Sequence, residues 1–220
     1  MHGLLGTARY HFAAQMDGMP PSSRLLAVDL PGHGSCQVDA LPDDYFEQCM
    51  AYLVACVDRF GPGHFVAASY LGAPLAFRLA AAQPNKVLSI AALGFVPDLD
   101  PPLFATWVQG FFALAQDNPG LRDWYAAHHG ERWHRTLEAY RTQIDRDYPA
   151  SFAISSDLIA GLKVPVLILN GGNKSMEREF AASATRLGNH VSGVVVDGAG
   201  HIPSLDRPKE ILACLQTFLP

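Results

Sequence analysis

Short, uninterrupted apolar runs alternate along this chain with longer stretches whose apolar residues recur at helical spacing. Residues 25–29, 64–68, 87–93, 164–169 and 191–196 are apolar or β-branched almost throughout, the pattern of strands buried on both faces. Between them, residues 43–59, 72–82, 175–187 and 208–218 predict helices. The first follows Pro42, the second is stopped by Pro84, the third ends at Gly188. The fourth opens on Pro208, whose fixed φ suits a first helical position. Strand and helix in turn imply an α/β fold, a mostly parallel sheet with helices on both faces. No internal repeat or low-complexity linker breaks the pattern, so residues 1–220 read as one domain.

One segment departs from it. Residues 97–162 carry no strand pattern, only helical spacing rich in large aromatics such as Phe104, Trp107, Phe111, Trp124, Tyr125 and Trp133. This predicts a helical cap insertion that packs on its own aromatics, with an inner face suited to an apolar pocket.

Composition narrows the function classes. Hydrophobic residues make up 49% and charged ones 17%, and no apolar run approaches the ~18 residues of a membrane span. Sixteen Lys and Arg against 21 Asp and Glu give a net charge of −5, without a basic block, which argues against a nucleic-acid partner. Cys36, Cys49, Cys56 and Cys214 make no CxxC pair and no metal spacing. Four scattered thiols read as reduced packing residues of a cytoplasmic protein. His128, His129 and His134 lack a paired acidic ligand pattern, so neither a metal nor another cofactor is expected.

Four motifs follow one another in order: His2-Gly3-Leu4-Leu5-Gly6, Asp29-Leu30-Pro31-Gly32-His33-Gly34, Ala68-Ser69-Tyr70-Leu71-Gly72 and Gly198-Ala199-Gly200-His201. Together they resemble the α/β-hydrolase superfamily over essentially the whole chain. In that family the nucleophile stands at the apex of a strand-to-helix turn with small residues two before and two after it. With Ser69 at the apex the flanks are Ala67 and Leu71, and Leu71 crowds the turn. With Tyr70 they are Ala68 and Gly72, and Ala76, Leu79, Ala80 and Pro84 fall at suitable steps after it. The expected apex is therefore Tyr70. The resemblance makes His201 the general base and His33 a structural residue. It implies oxyanion donors in the backbone N–H of Leu71 and of Leu4 or Leu5.

The acid position departs from the family pattern, since Lys174 stands three residues after Gly171. The remaining acids at a suitable place are Asp98 and Asp100, after the run 87–93, where they would otherwise cap the insert's first helix. The family's His-Gly ends a central strand preceded by an N-terminal hairpin, whereas here only Met1 precedes His2. The N-terminal strands are thus expected to be missing and Met1 to be an internal residue. The sheet should then show a gap between the runs around Val28 and Val66.

Two functions follow from the resemblance. One is a hydrolase or acyltransferase acting on an ester, thioester or related acyl substrate, free or carrier-bound, with Ser69 supplying the hydroxyl, His201 the base and Asp98 or Asp100 the acid. Residues 59–70 and 94–99 loosely resemble the acyltransferases that join hydroxy fatty acids in rhamnolipid synthesis. The other is a pseudoenzyme, a ligand-binding protein or a non-covalent lyase or cyclase using Tyr70 and His201. With the triad so depleted, slow hydrolysis of simple esters is expected.

Overall fold

In the computed structural model, which describes residues 1–220, four of the five apolar runs pair into one parallel sheet of order β1-β2-β3-β4. In chain order the elements are α1 (Ala8–Gly18), α2 (Tyr45–Phe60), β1 (Gly63–Ala68), α3 (Ser69–Ala82), β2 (Val87–Leu93), α4 (Pro101–Asp117), α5 (Pro119–His129), α6 (Trp133–Asp147) and α7 (Ser156–Gly161). Then follow β3 (Val166–Gly171), α8 (Ser175–Ser183), β4 (Val191–Val196), α9 (Pro203–Asp206) and α10 (Pro208–Phe218). The α8 helix is shorter than its pattern predicts, because a 3₁₀ turn over Ala184–Leu187 takes up its last residues before Gly188.

The period of two along the strands explains why helices cover both faces. On β2 and β3, Ile90, Ala92, Val166 and Ile168 point into the larger core with α2, α3 and the insert. Their alternates Ala91, Leu93, Leu167 and Leu169 pack instead with Phe12 of α1 and Ile211 and Leu215 of α10. After a register shift between Gly63 and His64, neighbouring strands stay in register, with Ala67 opposite Ala92 and Ala92 opposite Ile168. The insert between β2 and β3 is helical, as its pattern predicts, and consists of α4 to α7. No helix is long and apolar enough to cross a membrane.

The fifth apolar run behaves differently. Residues 25–30 are not assigned to any strand, and Leu25 and Leu26 are about half exposed. A run with strand propensity becomes a strand only where a neighbour takes its N–H and C=O groups, and none lies beside this one. On the outer edge of β1, Met1 N donates to Val66 O and Ala68 N donates to Met1 O. At the far end of the run, Leu30 N donates to a side chain, His2 Nε2, at 3.0 Å.

Candidate active site

The junction of β1 and α3 decides the register that sequence left to steric argument. Ser69, the first residue after β1, has φ +53°, a left-handed conformation that L-residues adopt at a cost, whereas Tyr70 has φ −87°. The strained apex is Ser69, and the expectation of Tyr70 is corrected. Gly72 misled because its smallness serves another contact. A Cβ there would lie 2.7 Å from the carbonyl oxygen of His2, so the glycine lets α3 press against the N-terminal segment. Leu71, at the flank where a small residue was expected, is accommodated wholly within the larger core.

The turn is also held from the insert. Pro74 lacks the N–H that would bond the carbonyl of Tyr70 four residues earlier. That carbonyl instead accepts from Tyr140 Oη of α6 at 2.7 Å. The phenol of Tyr70 faces the cavity and stacks on His201, ring centroids 5.7 Å apart and planes within 12°. Burial, with Glu177 nearby, pushes its pKa far above the usual tyrosine range, so it stays protonated.

His201 follows β4 in the predicted turn. Gly94 at the end of β2 leaves room for it, since any Cβ there would run into the His201 carbonyl. Its Nδ1 lies 2.6 Å from Oε1 of Glu177, a carboxylate with a side chain only 8% exposed. The carboxylate that faces His201 is therefore Glu177, which sequence reasoning missed. It sits in the first turn of α8, where the helix dipole favours a negative charge. Glu177 lies three residues beyond Lys174, the extended N-cap residue of α8, and both line the same cavity. Asn170, fully buried at the end of β3, fixes this turn by donating to the carbonyls of Glu177 and Phe95.

Asp98 and Asp100 do other work. Asp98 accepts from the N–H and Oγ of Ser156, tying the exit of β2 to the start of α7. Asp100 caps α4 by accepting from Leu103 N. Neither hydrogen-bonds His201, whose carboxylate partner is Glu177, so the assignment of either as the acid is corrected.

The donor loop lies opposite Ser69. With Ser69 at the apex, the N–H that follows it belongs to Tyr70 rather than Leu71, among the first N–H groups of α3, which lack intrahelical acceptors. In the loop, Leu5 N donates to His33 Nε2 at 3.0 Å and is consumed, while Leu4 N has no acceptor within the chain. Leu5 holds φ +50°, a strained value kept by that bond and by His129 Nε2 against the Leu5 carbonyl. His33 thus plays the structural part expected of it, and His129 of α5 couples the insert to the same loop. Burial lowers the pKa of both imidazoles, that of His33 to about 3, so both are neutral near pH 7.

Ser69, His201 and Glu177 line one end of a cavity of about 990 Å³ whose apolar wall includes Phe104, Trp107, Phe111, Trp124 and Tyr125. The insert's aromatics therefore face the site. Ser69 Oγ and Glu177 Oε2 are buried without a hydrogen-bond partner. A buried hydroxyl lacking a partner costs stability and stays available for chemistry.

A family model described as alpha/beta hydrolase matches residues 1–213. The chain belongs to this family. Among solved structures, this alpha/beta hydrolase is similar to NosK from Streptomyces actuosus, with 45% identity, a TM-score of 0.96, and 99% of this chain and 94% of that one covered. It is 26% identical to the pimeloyl-[acyl-carrier protein] methyl ester esterase of Xanthomonas campestris pv. campestris, over 94% of this chain and 89% of that protein. It is also 24% identical to the chloroplastic protein PHYLLO of Arabidopsis thaliana, of whose length it spans 15%.

Proposed function

We propose that this alpha/beta hydrolase is an enzyme acting on an ester, thioester or related acyl substrate, with Ser69 as nucleophile, His201 as general base and Glu177 as the orienting acid. The observation that carries the reading is the 2.6 Å Glu177–His201 pair lining the same cavity as the strained Ser69. Glu177 holds the Nδ1 proton, so Nε2 is left to take the proton of Ser69 Oγ as that oxygen attacks the acyl carbonyl. The carbonyl oxygen becomes an oxyanion, received by the N–H groups of Leu4 and Tyr70. Collapse expels an alcohol or thiol, which takes the proton from His201 and leaves an acyl-Ser69 ester. Water then hydrolyses that ester, or a second nucleophile accepts the acyl group.

The insert acts in this reading as a cap whose aromatic wall holds the acyl group. A carrier-bound acyl group is the finer part of the proposal, supported by the likeness to an esterase of an acyl-carrier-protein ester. Tyr70 is not retained as the reacting group, because a buried, protonated phenol is a poor nucleophile. An activity-based fluorophosphonate should label the wild-type protein at Ser69, and Ser69→Ala should abolish labelling and p-nitrophenyl butyrate turnover together. Absence of label on a folded wild-type protein sinks the reading.

A further inference from the structure

His11, the first-turn imidazole of α1, has one nitrogen for which the fold finds no use. Its Nδ1 accepts from Gly3 N at 3.2 Å, the one hydrogen bond the ring makes within the chain, and its Nε2 makes none. The other imidazoles of the donor loop contrast with it. His2 uses Nδ1 on Gly3 O and Nε2 on Leu30 N. His33 uses Nδ1 on Pro31 O and Nε2 on Leu5 N. His129 uses Nδ1 on Gly34 N and Nε2 on Leu5 O.

The position of the spare nitrogen points to its use. His11 is 5% exposed and lines the cavity with Ser69 and Leu4. A Cβ built on Gly3 would meet Ser69 Oγ at 3.1 Å and His11 Cε1 at 3.4 Å, and one on Gly6 would run into His11 Nε2, so the Cε1–Nε2 edge of the ring lies along the Gly3–Gly6 loop beside the Ser69 hydroxyl. Because Nδ1 accepts a backbone N–H, the single proton of the neutral ring resides on Nε2. Burial keeps the ring neutral, lowering its pKa to about 4, with the nearby His201 opposing a second positive charge.

We propose that His11 is a catalytic residue: its Nε2–H donates a hydrogen bond to the carbonyl oxygen of the acyl group attacked by Ser69, as a third donor beside the N–H groups of Leu4 and Tyr70. This rests on the acyl-transfer reading of Ser69. A neutral donor suits the role, since it stabilises the oxyanion without competing for the proton that His201 must carry. The ring cannot serve as a second base, because its only lone pair is occupied by Gly3 N–H.

The test compares His11→Phe, which removes the donor, with His11→Gln, whose amide nitrogen reaches the place of Nε2. With p-nitrophenyl butyrate, His11→Phe should lower kcat by on the order of tenfold to a hundredfold with KM little changed. His11→Gln should recover most of that loss. Phenylboronic acid, which forms a tetrahedral adduct on an active serine, should lose affinity for the Phe variant in proportion to kcat/KM. Equal activity of His11→Phe and wild type, or a Gln variant no better than Phe, overturns the proposal. Should the Phe variant fail to fold, the imidazole ¹⁵N–¹H signal of His11 in the wild type must shift on adding phenylboronic acid, and an unmoved signal overturns the proposal equally. The acyl-transfer reading is checked apart from this: turnover that persists in Ser69→Ala refutes that reading and the His11 role with it, whereas a Ser69-dependent enzyme indifferent to His11 refutes only the latter.

Discussion

The C-terminal part of the sheet and the first 35 residues answer the same demand in different ways. From β2 to β4, backbone N–H and C=O groups pair with one another in a parallel ladder. Over the first 35 residues, where no strand forms, side chains take the place of the ladder. Imidazoles accept from the N–H groups of Gly3, Leu5, Leu30 and Gly34, and the Asp29 carboxylate accepts from those of Ala8 and Ser35. A ladder is indifferent to pH, whereas an imidazole nitrogen that accepts a hydrogen bond ceases to do so once protonated. In the proposed reading, the His201–Glu177 pair is thus mounted on the pH-indifferent side, and of the two backbone oxyanion donors Leu4 lies on the pH-sensitive one.

The largest effect is expected where the ladder side is broken chemically. Glu177→Gln should lower kcat by about a thousandfold or more, by losing the carboxylate that orients His201 and stabilises its charged form. Asp98→Asn should leave kcat within about twofold, since substitutions clear of the reacting groups rarely reach further. Steady-state kinetics of the two variants decide between them, and a collapse in Asp98→Asn with an active Glu177→Gln would restore the acid to the wrong loop.

Acid should then separate the two regions. The folded-state pKa values of His33 and His11 lie near 3 and 4, below the usual value of 6.5, so the unfolded chain binds protons first as pH falls. Their contribution is complete above about pH 7 and is lost as pH drops below 6.5, amounting to about 2 kcal/mol for each at pH 5. His2 and His129 shift in the same direction. Thermal melts should show the loss between pH 7 and 5 but little change between pH 7 and 8. Hydrogen exchange should localise it, with the amides of Leu5, Leu30 and Gly34 losing protection before those of β3. Uniform loss across both regions would remove the contrast.

The smallest effect concerns the unpaired run. Leu26→Ser should alter stability by no more than about 0.5 kcal/mol, because its side chain is half exposed. Ile168→Ala, in the middle of β3, should cost about 2–5 kcal/mol. Denaturant titration of both variants measures the difference, and comparable losses would mean that the run over residues 25–30 is packed as firmly as the sheet.

Much of the fold was legible because it depends on local pattern. The boundaries of β2, β4 and α10 coincide with their apolar runs and with Pro208, and the absence of strands between residues 97 and 162 holds throughout. The same local reasoning placed His201 after β4. It failed at Gly72, where a small residue was attributed to the apex two positions earlier although its neighbour is the His2 carbonyl, distant in sequence. It failed again at Glu177, because a fixed offset from Gly171 was read along an extended chain. The first turn of α8, which starts just after Lys174, brings Glu177 within reach of His201 instead.

By itself, the sequence determined that this chain alternates strands and helices, carries an aromatic helical insert and belongs among proteins with a serine and a histidine at two strand ends. Those properties follow from periodicity and turn chemistry, which act over a few residues. Tertiary structure alone decided that Ser69 takes the strained apex, that Glu177 is the carboxylate facing His201, and that four imidazoles hold the donor loop. Each is a contact between segments far apart in the chain, and such contacts are set by how the faces pack rather than by what any one segment prefers.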